Sequence, residues 1–392
     1  MTRPVPAIAP SRRGRLLQLI ALVSTLDRFA MPPMILTMAR DLGLPLATVA
    51  QAAGTYFLAY GLMQPVWGLI GARIGVVRLL RWTSLAAALT TTATALSTGA
   101  VSLTLSRLLA GASYGAAIPA ALYYVGSTAA PTLRHREVTR LMTGVALGTA
   151  VSTAGAGLLA AGLGWRYAFL VTGGATVLLW LALPGLPELT TREDIGLLLP
   201  LLEVWRSTPA RILLVLAAAE GAVLLGALTF LPAAAASSGS PTSVAAGTTA
   251  VYGVAVLVFA PVVGRLTYRV GAARLIAAGA TCAVLGCTIA AASVRPPAVV
   301  VVATLLGLSW AAMHSTLQTW ATEVVPRAGF TAVSLFAGAL FAGSSAAATL
   351  GGALADRGRF SLIFAAGAAM ALPLGVFGVL SRLRWEHAKE PA

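Results

Sequence analysis

The chain has 392 residues, of which 58% are hydrophobic and 10% charged, with a mean hydropathy of +0.86. That balance excludes an ordinary soluble domain and marks an integral membrane protein. Twelve spans of about 20 residues with short connections occupy roughly 300 to 390 positions, which leaves no length for a separate soluble enzyme domain.

Apolar runs bounded by polar or turn-forming residues fall at about 15–38, 47–71, 79–98, 100–127, 138–162, 166–186, 208–234, 244–267, 273–294, 298–324, 329–354 and 359–382. Each is read as a membrane-spanning helix. The first follows Arg3, Arg12, Arg13 and Arg15 and is too long for a cleavable signal peptide, so it is read as retained. It carries Asp27 and Arg28 at mid-span and Pro32-Pro33, a candidate bend, near its end. In the second span Tyr56, Tyr60 and Gln64 share one face and are candidates to border a cavity. The fourth contains Arg107. Gly144, Gly148, Gly155 and Gly157 in the fifth supply surfaces for close helix approach.

The longest connection, Leu186 to Ser207, holds Glu188, Arg192, Glu193, Asp194, Glu203 and Arg206 and reads as a linker at mid-chain. Beyond it the seventh span carries Glu220 at mid-length and Pro232, a second candidate bend, at its end. Cys282 and Cys287 lie in one apolar run and point to different helix faces, so neither a disulfide nor a metal site is expected. Span ten presents Trp310, His314 and Gln318 at four-residue steps, which puts an aromatic ring, an imidazole and an amide on one face. Glu323, four residues before Arg327, reads as an interfacial ion pair. Span eleven repeats the small-residue pattern at Gly338, Gly343, Gly351 and Gly352.

With both termini in the cytoplasm, 20 of the 27 Lys and Arg residues fall on the inner side. The basic balance is therefore membrane topology rather than nucleic-acid binding. The division is a cytoplasmic tail at 1–14, a six-helix half at 15–186, a cytoplasmic linker at 187–207, a second half at 208–382 and a cytoplasmic tail at 383–392. An offset of 196 residues superposes the two halves. Pro65-Val66-Trp67-Gly68 with Arg73, Gly75, Arg78 and Leu79 recurs as Pro261-Val262-Val263-Gly264 with Arg269, Gly271, Arg274 and Leu275. The same register pairs Tyr56 with Tyr252 and Gly111 with Gly307, which implies two parallel six-helix halves related by an axis along the membrane normal.

These residues resemble the major facilitator superfamily over nearly the whole chain. The stretch Gly68 to Arg78 is similar to the family's G-x-x-x-D-R-x-G-x-x-R loop, Arg107 to Gly111 with Gly115 and Pro119 to its helix-4 pattern, and Gly164-Trp165-Arg166-Tyr167-Ala168-Phe169 to a G-W-R-x-x-F boundary. The resemblance implies an all-α fold of 12 transmembrane helices in two pseudo-symmetric halves, with spans 2, 5, 8 and 11 meeting between them. It also implies a gating role for Gly68, Arg73, Gly75, Arg78, Gly264, Arg269 and Arg274. The sequence departs from the family where the loop Asp is replaced by Ala72 and, in the second copy, by Tyr268, which implies a different or weaker latch. Ser152 to Gly157 likewise stands where drug:proton antiporters show G-P-x-x-G-G.

Four ionised groups at helix centres cost about 10–14 kcal/mol to insert, so Asp27, Arg28, Arg107 and Glu220 require partners or a wet cavity. Asp27 and Glu220 lie at matching depths, roughly 18 Å from the inner end of their spans, and are expected to face one cavity from opposite halves. Together the four sum to zero charge, a workable proton-coupling device. Burial favours a protonated carboxyl and a neighbouring guanidinium an ionised one, so Glu220, farther from arginine, is the better proton carrier and Asp27 the second candidate. A permanent ion pair between Asp27 and Arg107 is the structural alternative. The expected cavity residues are Arg28, Arg107, Tyr56, Trp310, His314 and Gln318.

The functional expectation is a secondary transporter of the inner (cytoplasmic) membrane working by alternating access. Proton-coupled export of an amphipathic or drug-like compound comes first, and proton-coupled uptake of a small organic anion held by the arginines is the alternative. A non-transporting sensor or scaffold is the reading from another class. No nucleotide-binding glycine loop, metal cluster or triad spacing is present in the sequence, so neither an enzyme nor a cofactor is expected. The expected partners are a small molecule, protons and membrane lipids, and the expected state is a monomer.

Overall fold

The computed structural model describes residues 10–129, 131–188, 198–240 and 242–388, and within them the side chains at 10–12, 72, 131, 132, 135, 198, 242, 243, 245, 246, 248, 249, 268, 327 and 330 lie outside that description, Ala72, Tyr268 and Arg327 among them. So do residues 1–9 and 389–392 of the expected tails and 189–197 of the expected linker. The described residues are helical and contain no strand. Twelve long segments occupy the twelve expected intervals. In order they are α1 (Pro10–Ala30, continued through a 3-10 turn at Pro32–Met34 by Ile35–Leu42), α2 (Leu46–Ile74), α3 (Val76–Ala95), α4 (Ala100–Tyr114 and Ala117–Thr128), α5 (Pro131–Gly162) and α6 (Trp165–Ala182). The second half has α7 (Thr208–Ser237), α8 (Thr242–Val270), α9 (Ala272–Ala292), α10 (Pro296–Glu323), α11 (Gly329–Asp356) and α12 (Phe360–His387).

Among the described residues, ten segments are long and apolar enough to cross a bilayer. The two that fall short are α2, which carries Gln51, Gln64 and several glycines, and α3, which carries Arg78, Arg81 and a run of threonines. The threonines of α3 return their hydroxyls to backbone carbonyls one turn back, as Thr83 does to Leu79 and Thr94 to Thr90. Their polarity is thus satisfied inside the helix.

Proline acts differently at its two expected bends. Pro32-Pro33 opens a 3-10 turn that breaks α1, whereas α7 continues unbroken through Pro232 to Ser237. The linker contains a short helix, Leu198–Arg206, which buries Val204 against Ala210 of α7, Ala328 just before α11 and Ala332 in its first turn.

The 196-residue register reappears as packing. Gly111 of α4 lies directly against the Tyr56 backbone of α2, and Gly307 of α10 against Tyr252 of α8, where a Cβ would meet the Tyr252 carbonyl at 3.0 Å. The same glycine therefore lets the same pair of helices approach in each half. Across the halves α2 packs on α11 and α5 on α8. A Cβ at Gly61 would stand 2.9 Å from the Gly338 Cα, and one at Gly352 2.7 Å from the Ala47 Cα. Within halves, Gly148 of α5 abuts the Leu22 carbonyl of α1, and Gly343 of α11 abuts the Ala218 carbonyl of α7.

Gly343 faces rigid backbone, so no side chain there can be relieved by a rotamer change. Gly343→Val is expected to cost about 1–3 kcal/mol or more, read as a lowered unfolding temperature in detergent. An unchanged temperature would contradict the close packing of α7 on α11.

Candidate functional site

A cavity of about 590 Å³ lies between the two halves. Its inner wall carries Arg28, Tyr60, Trp310, His314, Phe336 and Phe341, and it extends past Gln318 and Thr319 to Glu323, Arg382 and Glu386 at the face where α10 and α12 end. At the opposite face the halves are sealed. There the Asp356 carboxylate at the end of α11 accepts the Ala47 backbone N–H at 3.0 Å, supplying a partner to the first turn of α2, whose N-cap Pro45 makes no side-chain cap. Among the described residues, the cavity therefore extends to the face of Glu323, Arg382 and Glu386, while α2 packs closely on α11 at the other.

Arg28 is the cation of the inner wall. Its Nη1 donates to the Tyr60 hydroxyl and its Nη2 to Thr25 Oγ1, both at 3.2 Å, while Nε is buried with no partner. Its guanidinium stands 5.1 Å from the ring centres of Phe29 and Tyr60 and 5.8 Å from that of Phe341. Those distances are within cation–π range.

Across the cavity, α10 departs from regular geometry. Residues Trp310–His314 form a π turn, a local widening of the helix often found at functional sites. It stacks the Trp310 and His314 rings with centroids 3.9 Å apart. His314 Nδ1 is 3.3 Å from Oε2 of Glu220, which is fully buried and whose other oxygen has no hydrogen-bond partner. Glu220 is not on the cavity wall itself; His314 stands between it and the open space.

Asp27 is placed elsewhere. Arg107 grips it with two parallel bonds, Nη2 to Oδ2 at 2.9 Å and Nη1 to Oδ1 at 3.2 Å, and Thr91 donates to Oδ1 at 3.1 Å. Both charged side chains are essentially without solvent exposure. The guanidinium lies 4.2 Å from the Tyr56 ring centre and 5.0 Å from that of Phe169, and Tyr114 and Thr176 extend the polar layer. This joins α1, α2, α3, α4 and α6 in one network. A bidentate carboxylate–guanidinium pair that is also hydrogen-bonded is among the stronger charge-assisted contacts, and breaking it by removing one buried partner is costly.

Of the expected cavity residues, Arg28, Trp310, His314 and Gln318 therefore share the wall. Arg107 and Tyr56 do not. Asp27 holds the Arg107 guanidinium behind the wall, and the Tyr56 ring packs beneath it. The acidic pair expected to face one cavity is also divided, with Asp27 in the ion pair and Glu220 behind His314.

The two loop motifs share backbone geometry but not surroundings. Gly75 and Gly271 both turn the chain with positive φ, +96° and +81°, which favours glycine. At Gly75 the Glu188 carboxylate packs close and accepts the Val77 and Arg78 backbone N–H groups, each at 2.8 Å, capping α3. Among the described residues, nothing within 4 Å stands over Gly271. Arg73, Arg78, Arg269 and Arg274 are exposed, and Gly264 lies on the cavity wall. The Trp165-Arg166 motif meets Asp41, with Trp165 Nε1 donating at 3.0 Å and Arg166 pairing with the same oxygen.

Glu323 pairs with Arg382 of α12 at 3.1 Å, and Arg382 Nε also bonds Glu386 at 2.6 Å, while the expected partner of Glu323, Arg327, lies outside the described side chains. Tyr60 and Gln64, two of the three α2 residues expected to border a cavity, are on its wall, whereas Phe336, Phe341 and Arg382 are wall residues that no sequence spacing singled out.

The Major Facilitator Superfamily model matches residues 17–326 and 233–392. No curated protein sequence matches the chain. Among solved structures, nucleoside transporter NupG superposes with a TM-score of 0.79 at 12% identity, covering 94% of this chain and 99% of that one. A bacterial homolog of the human lysosomal transporter Spinster, in an inward-facing and unoccupied conformation, gives 0.76 at 18% identity, with 98% and 100% covered. A peptide transporter POT in complex with sulfate gives 0.76 at 15% identity, with 93% of each covered. With the twelve-segment duplicated architecture and a cavity between its halves, the chain belongs to the Major Facilitator Superfamily of transporters.

Proposed function

We propose that this protein is a secondary transporter of the cytoplasmic membrane, with both termini inside, that exports a small amphipathic compound in exchange for protons. The observation that carries this reading is the cavity of about 590 Å³, bounded by both halves and extending, among the described residues, to one face, with α2 packed closely on α11 at the other. Its aromatic wall suits an apolar body, and its size suits a single small molecule. Alternating access then means parting α2 from α11 at the sealed face and closing the mouth at the other.

The proton site is the Glu220–His314 pair. His314 faces the cavity and Glu220 lies behind it, so a proton entering from the cavity passes through the imidazole to the carboxylate. An ionised carboxylate at mid-membrane costs about 2.5–3.5 kcal/mol, and protonation removes that cost. A neutral pair lets the halves rock with the cavity empty, whereas the ionised pair calls for a solute to accompany the change.

Proteoliposomes enclosing a pH dye test the proposal. Adding a transported amphipathic compound outside is expected to raise the internal pH, because each solute entering expels a proton. A fall in pH would establish symport and overturn the direction. No change with any compound that binds would overturn coupled transport in favour of a sensor.

A further inference from the structure

We propose that the compound carried in this cavity is an aromatic monoanion, and that Arg28 selects it by pairing with its anionic group. The inference rests on the transport reading for its setting and on Arg28 for its content.

Arg28 is the charge that the inner wall leaves unanswered. Of the other ionisable groups on the wall, Glu323, Arg382 and Glu386 are tied to one another at the mouth, and His314 is engaged with Trp310 and Glu220. Arg107 is neutralised by Asp27 behind the wall. Arg28 has no carboxylate within ion-pair distance among the described residues, and its two hydrogen bonds go to neutral hydroxyls. A guanidinium has five N–H donors, so three are left without a protein acceptor. A guanidinium held on a helix wall beside an aromatic cavity presents a fork that matches a carboxylate.

The same geometry disfavours a cation. The ring faces on the Arg28 side, those of Phe29, Tyr60 and Phe341, are already within cation–π distance of the guanidinium. A second cation there would meet like charge. What remains for the body of the solute is the opposite wall, where the stacked Trp310 and His314 rings and Phe336 offer apolar and π surface. One free cation on the inner wall, among the described residues, calls for one negative charge.

The test is binding of radiolabelled 1-naphthoate to the purified full chain in nanodiscs, beside 1-naphthamide and 1-naphthylmethylammonium, which share the ring and change only the charge. Wild type is expected to bind the carboxylate most tightly. Arg28→Gln is expected to weaken it by about 10- to 100-fold, the range of a charged hydrogen bond, and to leave the amide unaltered. Arg28→Lys, which keeps the charge, is expected to recover part of the loss, and unfolding temperatures show that the variants fold.

The inference is overturned if wild type does not bind 1-naphthoate, if it prefers the ammonium, or if Arg28→Gln leaves carboxylate affinity unaltered. A proton flux driven by the ammonium compound would sink this inference and spare the transport reading. Arg28-dependent naphthoate binding with no flux would do the reverse.

Discussion

Glu220→Gln is expected to lower pH-gradient-driven solute movement by about 100-fold, the scale on which removal of a proton-transferring side chain acts, while solute-for-solute exchange continues. Glutamine keeps the size and hydrogen-bonding reach of the carboxyl but takes up no proton. It therefore resembles the neutral state of the pair, the state in which the halves rock without charge at mid-membrane. Full burial of Glu220 and its single contact with His314 make the effect specific, since no other carboxylate approaches that imidazole among the described residues. His314→Gln is expected to slow coupling less severely, by removing the relay and leaving the acceptor. Loss of both exchange and gradient-driven movement in Glu220→Gln, with the protein still folded, would show that the residue serves binding or packing instead.

The largest stability effect is expected at Arg107. Arg107→Ala strands the Asp27 carboxylate, fully buried, with only the Thr91 hydroxyl and no cation. Removing one partner of a buried pair costs about 3–5 kcal/mol, most of it the penalty of an uncompensated charge. The Tyr56 and Phe169 rings also lose the guanidinium they pack against. An Asp27→Asn change added to Arg107→Ala removes the stranded charge and is expected to restore part of the loss, a non-additivity that marks a direct pair. Chemical unfolding in detergent measures both. A loss for Arg107→Ala within about 1 kcal/mol, as for an exposed pair, would contradict the burial.

The fold was legible because hydropathy and repetition are properties of the sequence itself. The twelve intervals follow from apolar runs, and the 196-residue offset that pairs Tyr56 with Tyr252 and Gly111 with Gly307 returns as two equivalent close contacts. The Trp310, His314 and Gln318 face was legible from four-residue spacing, although the π turn that stacks the two rings carries no residue signature. The fate of Asp27 and Arg28 was not legible. Neighbours on a helix point about 100° apart, so one enters an ion pair with α4 and the other enters the cavity, and only the rotation of α1 decides which. Glu323 illustrates the same limit. Its contact with Arg382, 59 residues away on another helix, follows from no local spacing. Glu188 sits 110 residues or more from the α3 amides it caps, and no local pattern announces that contact.

The most direct measurement of the central claim is solute distribution across proteoliposomes that start with equal solute on both sides and an imposed pH difference. Wild type is predicted to move the solute away from the side that receives protons until the two gradients balance, and Glu220→Gln to leave it evenly distributed. An even distribution with wild type, in vesicles that exchange the solute, would contradict proton coupling through this cavity.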